Sequence, residues 1–297
     1  MAKKAEGEVF KGKFGLQCMA TNVIAAKGGA FLVLRLRLGT NAESGQIFGQ
    51  LTDQTWHAWA STLRGDRAGF NAKTNRAPFA GSYTFLIPGT ESDPSIPAGH
   101  SYATATVDAG GIVKFAGSLA DGTKITQSTT LSRNGLWPFF ASLYAGKGLA
   151  LSWISFVDRA NDDLNGEIIW IKQPDLKSKF YAGGFTNQVE AVGSSYIAPI
   201  GTNIMNLTSA LMEFTGGNLP SDLTNSITLG PGNKLIASDG TGFALSFTPK
   251  SGMFKGKFLH PGNGKSFAYG GVVLPKMSSG FGYLLGTNQS SQVTLEP

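Results

Sequence analysis

Along much of the chain, apolar and polar residues alternate with a period of two. In GGAFLVLRLRLG, Leu32, Leu34, Leu36 and Leu38 share one side while Phe31, Val33, Arg35 and Arg37 share the other. That spacing puts the leucines on the inner face of a strand and is not the spacing of a helix. Between such runs stand VDAGG, ADGT, SRNG, DLNG, GPGN, SDGTG and HPGNGK. Their Asp-Gly, Asn-Gly and clustered glycines accept the positive φ of tight hairpin turns. The pattern predicts an all-β protein built of antiparallel meanders.

The string FKGKF occurs at 10–14 and again at 254–258. In each copy the two phenylalanines and the glycine fall on one face and the two lysines on the other, and a glycine between inward aromatics permits close approach of a neighbour or sharp bending of a sheet. The two copies are expected to be equivalent strands of curved sheets. Residues 102–144 and 243–285 share a longer pattern: an alternating strand, a turn, a strand holding Lys and Gly, a turn ending in Lys, a further strand, then glycine and aromatics. A fainter version runs through SGQIFGQLTDQTWHAWASTL. These echoes predict an internal duplication. The polar stretch VDRANDDLNG places a boundary near residues 158–163, giving two related lobes, 1–158 and 159–297, each a β-barrel or strongly curved sandwich. FNAKTNRAPFAG and PGTESDPSIPAGH read as proline-interrupted loops, and 183–223 as a long, less regular connection.

Composition agrees with this picture: 40 glycines and 15% charged residues in 297 favour turns over long helices. The net charge of +6 is spread along the chain without a basic stripe or a reader motif, which argues against nucleic-acid binding. Cys18 is the only cysteine, so no disulfide forms within the chain, and it reads as a small core residue. The start MAKKAEGEVF has charge but no apolar run behind it, unlike a signal peptide. No apolar run of about 18 residues is present, so no transmembrane helix is expected.

The stretches FNAKTNRAPFAGSYTFLIPG, SLADGTKITQSTTLSRNGLWPFFASLYAGKG and GVVLPKMSSGFGYLLGTNQSSQV resemble a glycine-rich β region found toward the C-terminus of large predicted surface or secreted proteins of environmental bacteria, often after immunoglobulin-like or other repeated modules. The likeness covers most of the chain. It implies architecture and an extracellular or cell-surface setting, and it carries over no functional residue.

Candidate chemistry is sparse. His57, His100 and His260 lie in three separate segments, without the short spacing of a zinc module, and with a carboxylate such as Asp53 they are the candidates for catalysis. Gly-x-Ser-x-Gly, His-Glu-x-x-His and phosphate-cradling glycine loops are absent from the sequence. His260 precedes a turn and is expected to be solvated. NDDLNGEI has Asn161, Asp163 and Asn165 alternating before Gly166, as in a calcium loop, but carries Lys172 where the closing Glu belongs. It reads as a hairpin turn or as a weak calcium site whose oxygens would come from Asp158, Asp162, Asp163 and Glu167. Trp153 and Trp170 sit in apolar strands and are expected in the core, and Trp137 at a barrel end. Trp56 and Trp59 point to opposite faces of a strand, which makes this pair the first candidate for a ligand-binding surface. Tyrosines such as Tyr102, Tyr269 and Tyr283 are further stacking candidates.

The reading that follows is a non-catalytic binding or adhesion module of a bacterial surface or secreted protein, taking a surface glycan or another small molecule and needing no cofactor. The alternatives are a hydrolase of small esters or lactones, with or without calcium, and a structural spacer.

Overall fold

The computed structural model of the chain describes residues 12–25, 29, 31–55, 59–260 and 264–297. It comprises two compact units, one holding the described residues up to Gly69 with Ser132–Asn134, the other Phe70–Leu131 with Gly135–Pro297. The first unit is a four-stranded antiparallel meander of β1 (Met19–Ala25), β2 (Phe31–Leu38), β3 (Gln46–Asp53) and β4 (Ala60–Asp66). The leucine stripe of β2 does what its alternation predicts. Ile24 pairs with Leu32, Leu51 with Leu34 and Ile47 with Leu38, so one face is aliphatic. Arg37 lies on the other face, its guanidinium 4.7 Å above the Phe48 ring and 2.8 Å from Glu43.

The second unit contains two eight-stranded antiparallel sheets, each curled into a nearly closed barrel. The first consists of β5 (Gly81–Ile87), β6 (Ser101–Val107), β7 (Ile112–Ser118), β8 (Lys124–Thr130), β9 (Leu136–Leu143), β10 (Gly148–Phe156), β11 (Leu164–Lys172) and β12 (Phe185–Ser195). The second consists of β13 (Ser209–Thr215), β14 (Leu223–Gly230), β15 (Lys234–Ser238), β16 (Ala244–Thr248), β17 (Met253–Leu259), β18 (Ser266–Leu274), β19 (Ser279–Leu285) and β20 (Ser290–Glu296). In both, consecutive strands are neighbours and the first pairs with the last, β5 with β12 and β13 with β20. One seam stays open in each, between β8 and β9 and between β15 and β16. Across the first seam the Gln127 side chain donates to the Pro138 carbonyl (2.9 Å) and accepts from Trp137 Nε1 (2.9 Å). Pro138, which has no N–H to give a ladder, is tolerated on this edge strand.

Aromatic residues fill both barrels. In the first, fully buried Trp137 packs against Phe115, Phe139 and Phe85 at 5.4, 5.5 and 5.7 Å between ring centres. In the second, Phe214, Phe258 and Tyr269 form the centre. The second FKGKF is β17, with Phe254 and Phe258 inward and Lys255 and Lys257 outward. Gly256 between them is required: a Cβ there would lie 2.0 Å from the Ala244 carbonyl and 2.3 Å from the Tyr269 hydroxyl.

The first FKGKF differs. Phe10 and Lys11 lie outside the described residues, and Gly12, Lys13 and Phe14 precede β1 as exposed chain. Phe14 is 39% exposed against 5% for Phe258. The two copies are not equivalent strands, because five residues become a buried strand only where neighbouring strands supply a core.

The matched segments 102–144 and 243–285 are β6–β9 and β16–β19, the second to fifth strands of one barrel and the fourth to seventh of the other. The echo therefore belongs to repeated hairpins and not to equivalent barrel positions. The stretch 158–163, read as a boundary between lobes 1–158 and 159–297, joins β10 to β11, which pair with each other. The chain passes between the barrels at 196–208, after β12, and residues up to 69 form the separate first unit. A hairpin tip needs the same polar, flexible residues as a linker, so composition does not distinguish them. The supposed connection 183–223 contains β12 and β13, and the periodicity of β12 is blurred by inward Asn187 and by Gly193 and buried Ser194.

The outer faces of the barrels meet over Leu86, Val272 and Leu274, with Tyr102, Val192, Met253 and Phe281 around them. Gly270 makes the approach possible, since a Cβ there would stand 2.5 Å from the Tyr102 hydroxyl oxygen.

Candidate functional site

Beside this contact, the barrels enclose a cleft of about 680 Å³. Because side chains alternate along a strand, β6 presents Tyr102 outward, β19 presents Tyr283 and β17 presents Lys255. The Tyr102 and Tyr283 rings lie 5.6 Å apart, tilted by 40°. Loops supply Lys179, Asn218, Lys265 and Thr287, and Phe267 completes the aromatic wall. Three lysines and no carboxylate occur among the described residues lining it. A fourth cation stands behind the wall: Lys124 Nζ donates to Ser118 Oγ (2.7 Å), which is 2.5 Å from the Tyr283 hydroxyl.

Buried polar groups hold the walls in place. Asp121 and Lys172, nearly inaccessible, pair at 3.3 Å. The Tyr144 hydroxyl donates to Asp121 (2.6 Å), and Trp170 Nε1 donates to Tyr144 (3.0 Å). An isolated buried charge is costly, and here each is paired and hydrogen-bonded. Lys172 Nζ also donates to the Phe180 carbonyl (2.7 Å), pinning the loop that carries Lys179. The Tyr181 hydroxyl takes the Ser290 N–H (2.8 Å). Asn218 Oδ1 accepts from the N–H groups of Asn288 and Gln289 at 3.0 and 2.9 Å, fixing the opposite loop.

Burial dominates the phenol chemistry. It pushes Tyr283 up to about 12 and raises Tyr102, in the case of Tyr283 against the lowering effect of the Ser118 hydrogen bond. Tyr144 is raised by burial and then by the Asp121 charge. The cleft tyrosines thus stay neutral donors at ordinary pH, and the charge of the site comes from lysine ammonium groups.

The residues expected from sequence are dispersed. Trp56 and His57 lie outside the described residues. Trp59, 45% exposed, precedes β4 in the first unit, where its carbonyl accepts the Asp53 N–H (3.1 Å). The Asp53 carboxylate is buried and receives the Thr55 N–H (2.9 Å), the arrangement of a local turn. His100 lies against Phe281 between the barrels, with Nδ1 accepting the Gly89 N–H (3.0 Å). Desolvation lowers its pKa from 6.5 to about 4. His260 is buried, not solvated as its place in the sequence implied: its ring meets Phe267, and its own N–H donates to the Lys265 carbonyl (2.9 Å). Trp170 and Trp137 are core residues. Trp153 is 38% exposed on the outer face of β10 beside exposed Phe140 and Leu151, since the inner positions of that strand are Ala150, Ser152, Ile154 and Phe156.

The acidic loop 158–163 holds a cation of the chain's own. Lys276 Nζ donates to Asp163 (2.8 Å), to Asp158 and to the carbonyls of Arg159 (2.5 Å) and Asp162 (3.1 Å). Asp162 pairs with Arg159 (2.8 Å), and Glu167 stands on β11 opposite Glu190. No group of three or more His, Cys, Asp or Glu able to hold a metal occurs among the described residues. No helix among them is long and apolar enough to cross a membrane.

No protein-family model matches the chain, and no curated protein matches it in sequence. Among solved structures it is similar to an endo-1,5-alpha-L-arabinanase from Thermotoga petrophila, at 7% identity and a TM-score of 0.24 over 94% of this chain and 83% of that one. It is also similar to a protein of unknown function of the DUF3598 family from Nostoc punctiforme, at 10% identity and a TM-score of 0.21 over 73% of this chain and 95% of that one. Likenesses this loose carry no argument, and the reading of the site rests on its own geometry.

Proposed function

We propose that the protein is a non-catalytic binding module that takes an acidic carbohydrate in the cleft between its barrels. One observation carries the reading: an open cleft of about 680 Å³ walled by tyrosine and phenylalanine rings, with Lys179, Lys255 and Lys265 and no carboxylate among its described lining residues. Rings with a polar edge suit the faces and hydroxyls of sugars, and ammonium groups suit uronate carboxylates or sulfates. Glycoside cleavage needs a pair of carboxyl groups flanking the bond, so this lining favours holding a glycan over cutting it. The surface or extracellular setting implied by the sequence resemblance belongs to the same reading.

Calorimetric titration with an oligouronide and with a neutral oligosaccharide of equal length tests it. The uronide is expected to bind, with affinity that falls as salt rises. Lys255→Ala with Lys265→Ala should weaken it at least about tenfold, roughly the loss of two charge-assisted contacts, without lowering the melting temperature. Trp59→Ala, in the first unit, should leave binding unchanged. Equal binding of the neutral sugar, or an unaltered affinity in the lysine double variant, overturns the proposal.

A further inference from the structure

A second, smaller pocket lies at one end of the second barrel, where β13 and β17 end, β14 begins and the turn between β15 and β16 spans the open seam. Its volume is about 170 Å³, and three phenylalanines, Phe214, Phe243 and Phe258, line it. The Phe214 and Phe258 rings are 4.5 Å apart, and Phe243 stacks on Tyr269 at 5.9 Å, so the walls are braced by the barrel core. A dry apolar cavity of about 150 Å³ holds a benzene ring, which sets the size of occupant this pocket fits.

One polar side chain in the wall is only half used among the described residues. Asn225 is only 4% exposed. Its Oδ1 accepts from the Ser238 hydroxyl (3.0 Å), which itself accepts the Gly240 N–H (3.1 Å). Its Nδ2 is buried without a hydrogen-bond partner among the described residues. A buried donor left unpaired is destabilising, and native structures keep few of them. Gly240, also in the pocket wall, lets the chain pass close to this amide: a Cβ there would stand 2.9 Å from Nδ2. The nearby Asp239 carboxylate is engaged by the Ser226 N–H (2.8 Å) and adds negative charge that disfavours an anion.

The geometry points to a binding site for a neutral, single-ring aromatic molecule carrying a hydrogen-bond acceptor, its ring between the phenylalanines and its acceptor on Asn225 Nδ2. This site is separate from the cleft and takes a different class of ligand.

Acetophenone and isopropylbenzene, nearly equal in shape and different in the acceptor, are the probes. Titrated into the full chain and followed by amide NMR, acetophenone is expected to bind at least about tenfold tighter, the worth of one recovered hydrogen bond to a buried donor, and to shift the Asn225 side-chain NH₂ signals. Asn225→Leu should abolish the preference while leaving oligouronide binding at the cleft intact. If that variant does not fold, the shift of the Asn225 amide in the parent protein decides alone. Absence of binding by both probes, as for a pocket that holds water only, or a preference that survives Asn225→Leu, overturns the assignment.

Discussion

Enclosing His100 between the barrels makes the second unit sensitive to mild acid. Its Nδ1 accepts the Gly89 N–H, so protonation there both charges an enclosed ring and breaks a hydrogen bond. With the folded-state pKa lowered by desolvation to about 4 from 6.5, the unfolded chain binds a proton in this window that the folded chain refuses. The stabilisation is fully present above pH 6.5 and is lost as pH falls toward 4. It amounts to on the order of 3 kcal/mol. Urea unfolding of the parent and of His100→Gln at pH 7 and at pH 4.5 should show a smaller loss in the variant, and equal losses would refute the account. The place of this residue was not legible in sequence, because nothing local says that a loop histidine will be covered by β19, more than 180 residues further on. By contrast Gly256 was legible: glycine between two inward aromatics calls for close approach, and Tyr269 makes it.

At the scale of elements, the turn between β10 and β11 shows how one acidic stretch supports two readings. Asp158, Asp163 and two carbonyls form an oxygen cluster of the kind a hard cation prefers, and the ammonium of Lys276, from the turn Pro275–Met277, fills it. The carboxylates of Asp158 and then Asp163 raise the lysine pKa, so the ammonium persists at any ordinary pH. Millimolar calcium is therefore expected to leave the melting temperature of the parent unchanged. Lys276→Met, which vacates the cluster, should gain a calcium-dependent rise, as for any ligand that binds only the folded state. A rise in the parent equal to that in the variant would show that lysine does not hold the position. Sequence located the acidic loop but not its partner, which lies 113 residues beyond Asp163. Similarly, the period-two pattern of LSWISF marks a strand without saying which of its faces is inner, and the smaller alternate residues took the core while Trp153 went outside.

For the whole molecule, the two units differ in how much they bury. Few side chains of the four-stranded sheet are buried, Val33, Leu34 and Asp53 among them, whereas both barrels hold extensive aromatic cores. Local stability follows buried contact, so hydrogen exchange of the intact protein should release amides of 19–66 well before those of the barrel strands 81–195 and 209–296. The two barrels, sharing a buried patch over Leu86 and Val272, should exchange together. Early exchange of either barrel on its own would contradict the shared interface.

Alternation of side chains and the turn-forming glycines determined, from the chain alone, that the protein is all-β, antiparallel and built of repeated hairpins. These are local consequences of covalent geometry and the hydrophobic effect. How the hairpins close, which seam stays open, where one barrel ends, and that Tyr102, Lys255 and Tyr283 line one cleft were decided only by tertiary structure. Such groups meet through contacts between residues far apart in the chain, and no spacing along it records which strand will face which.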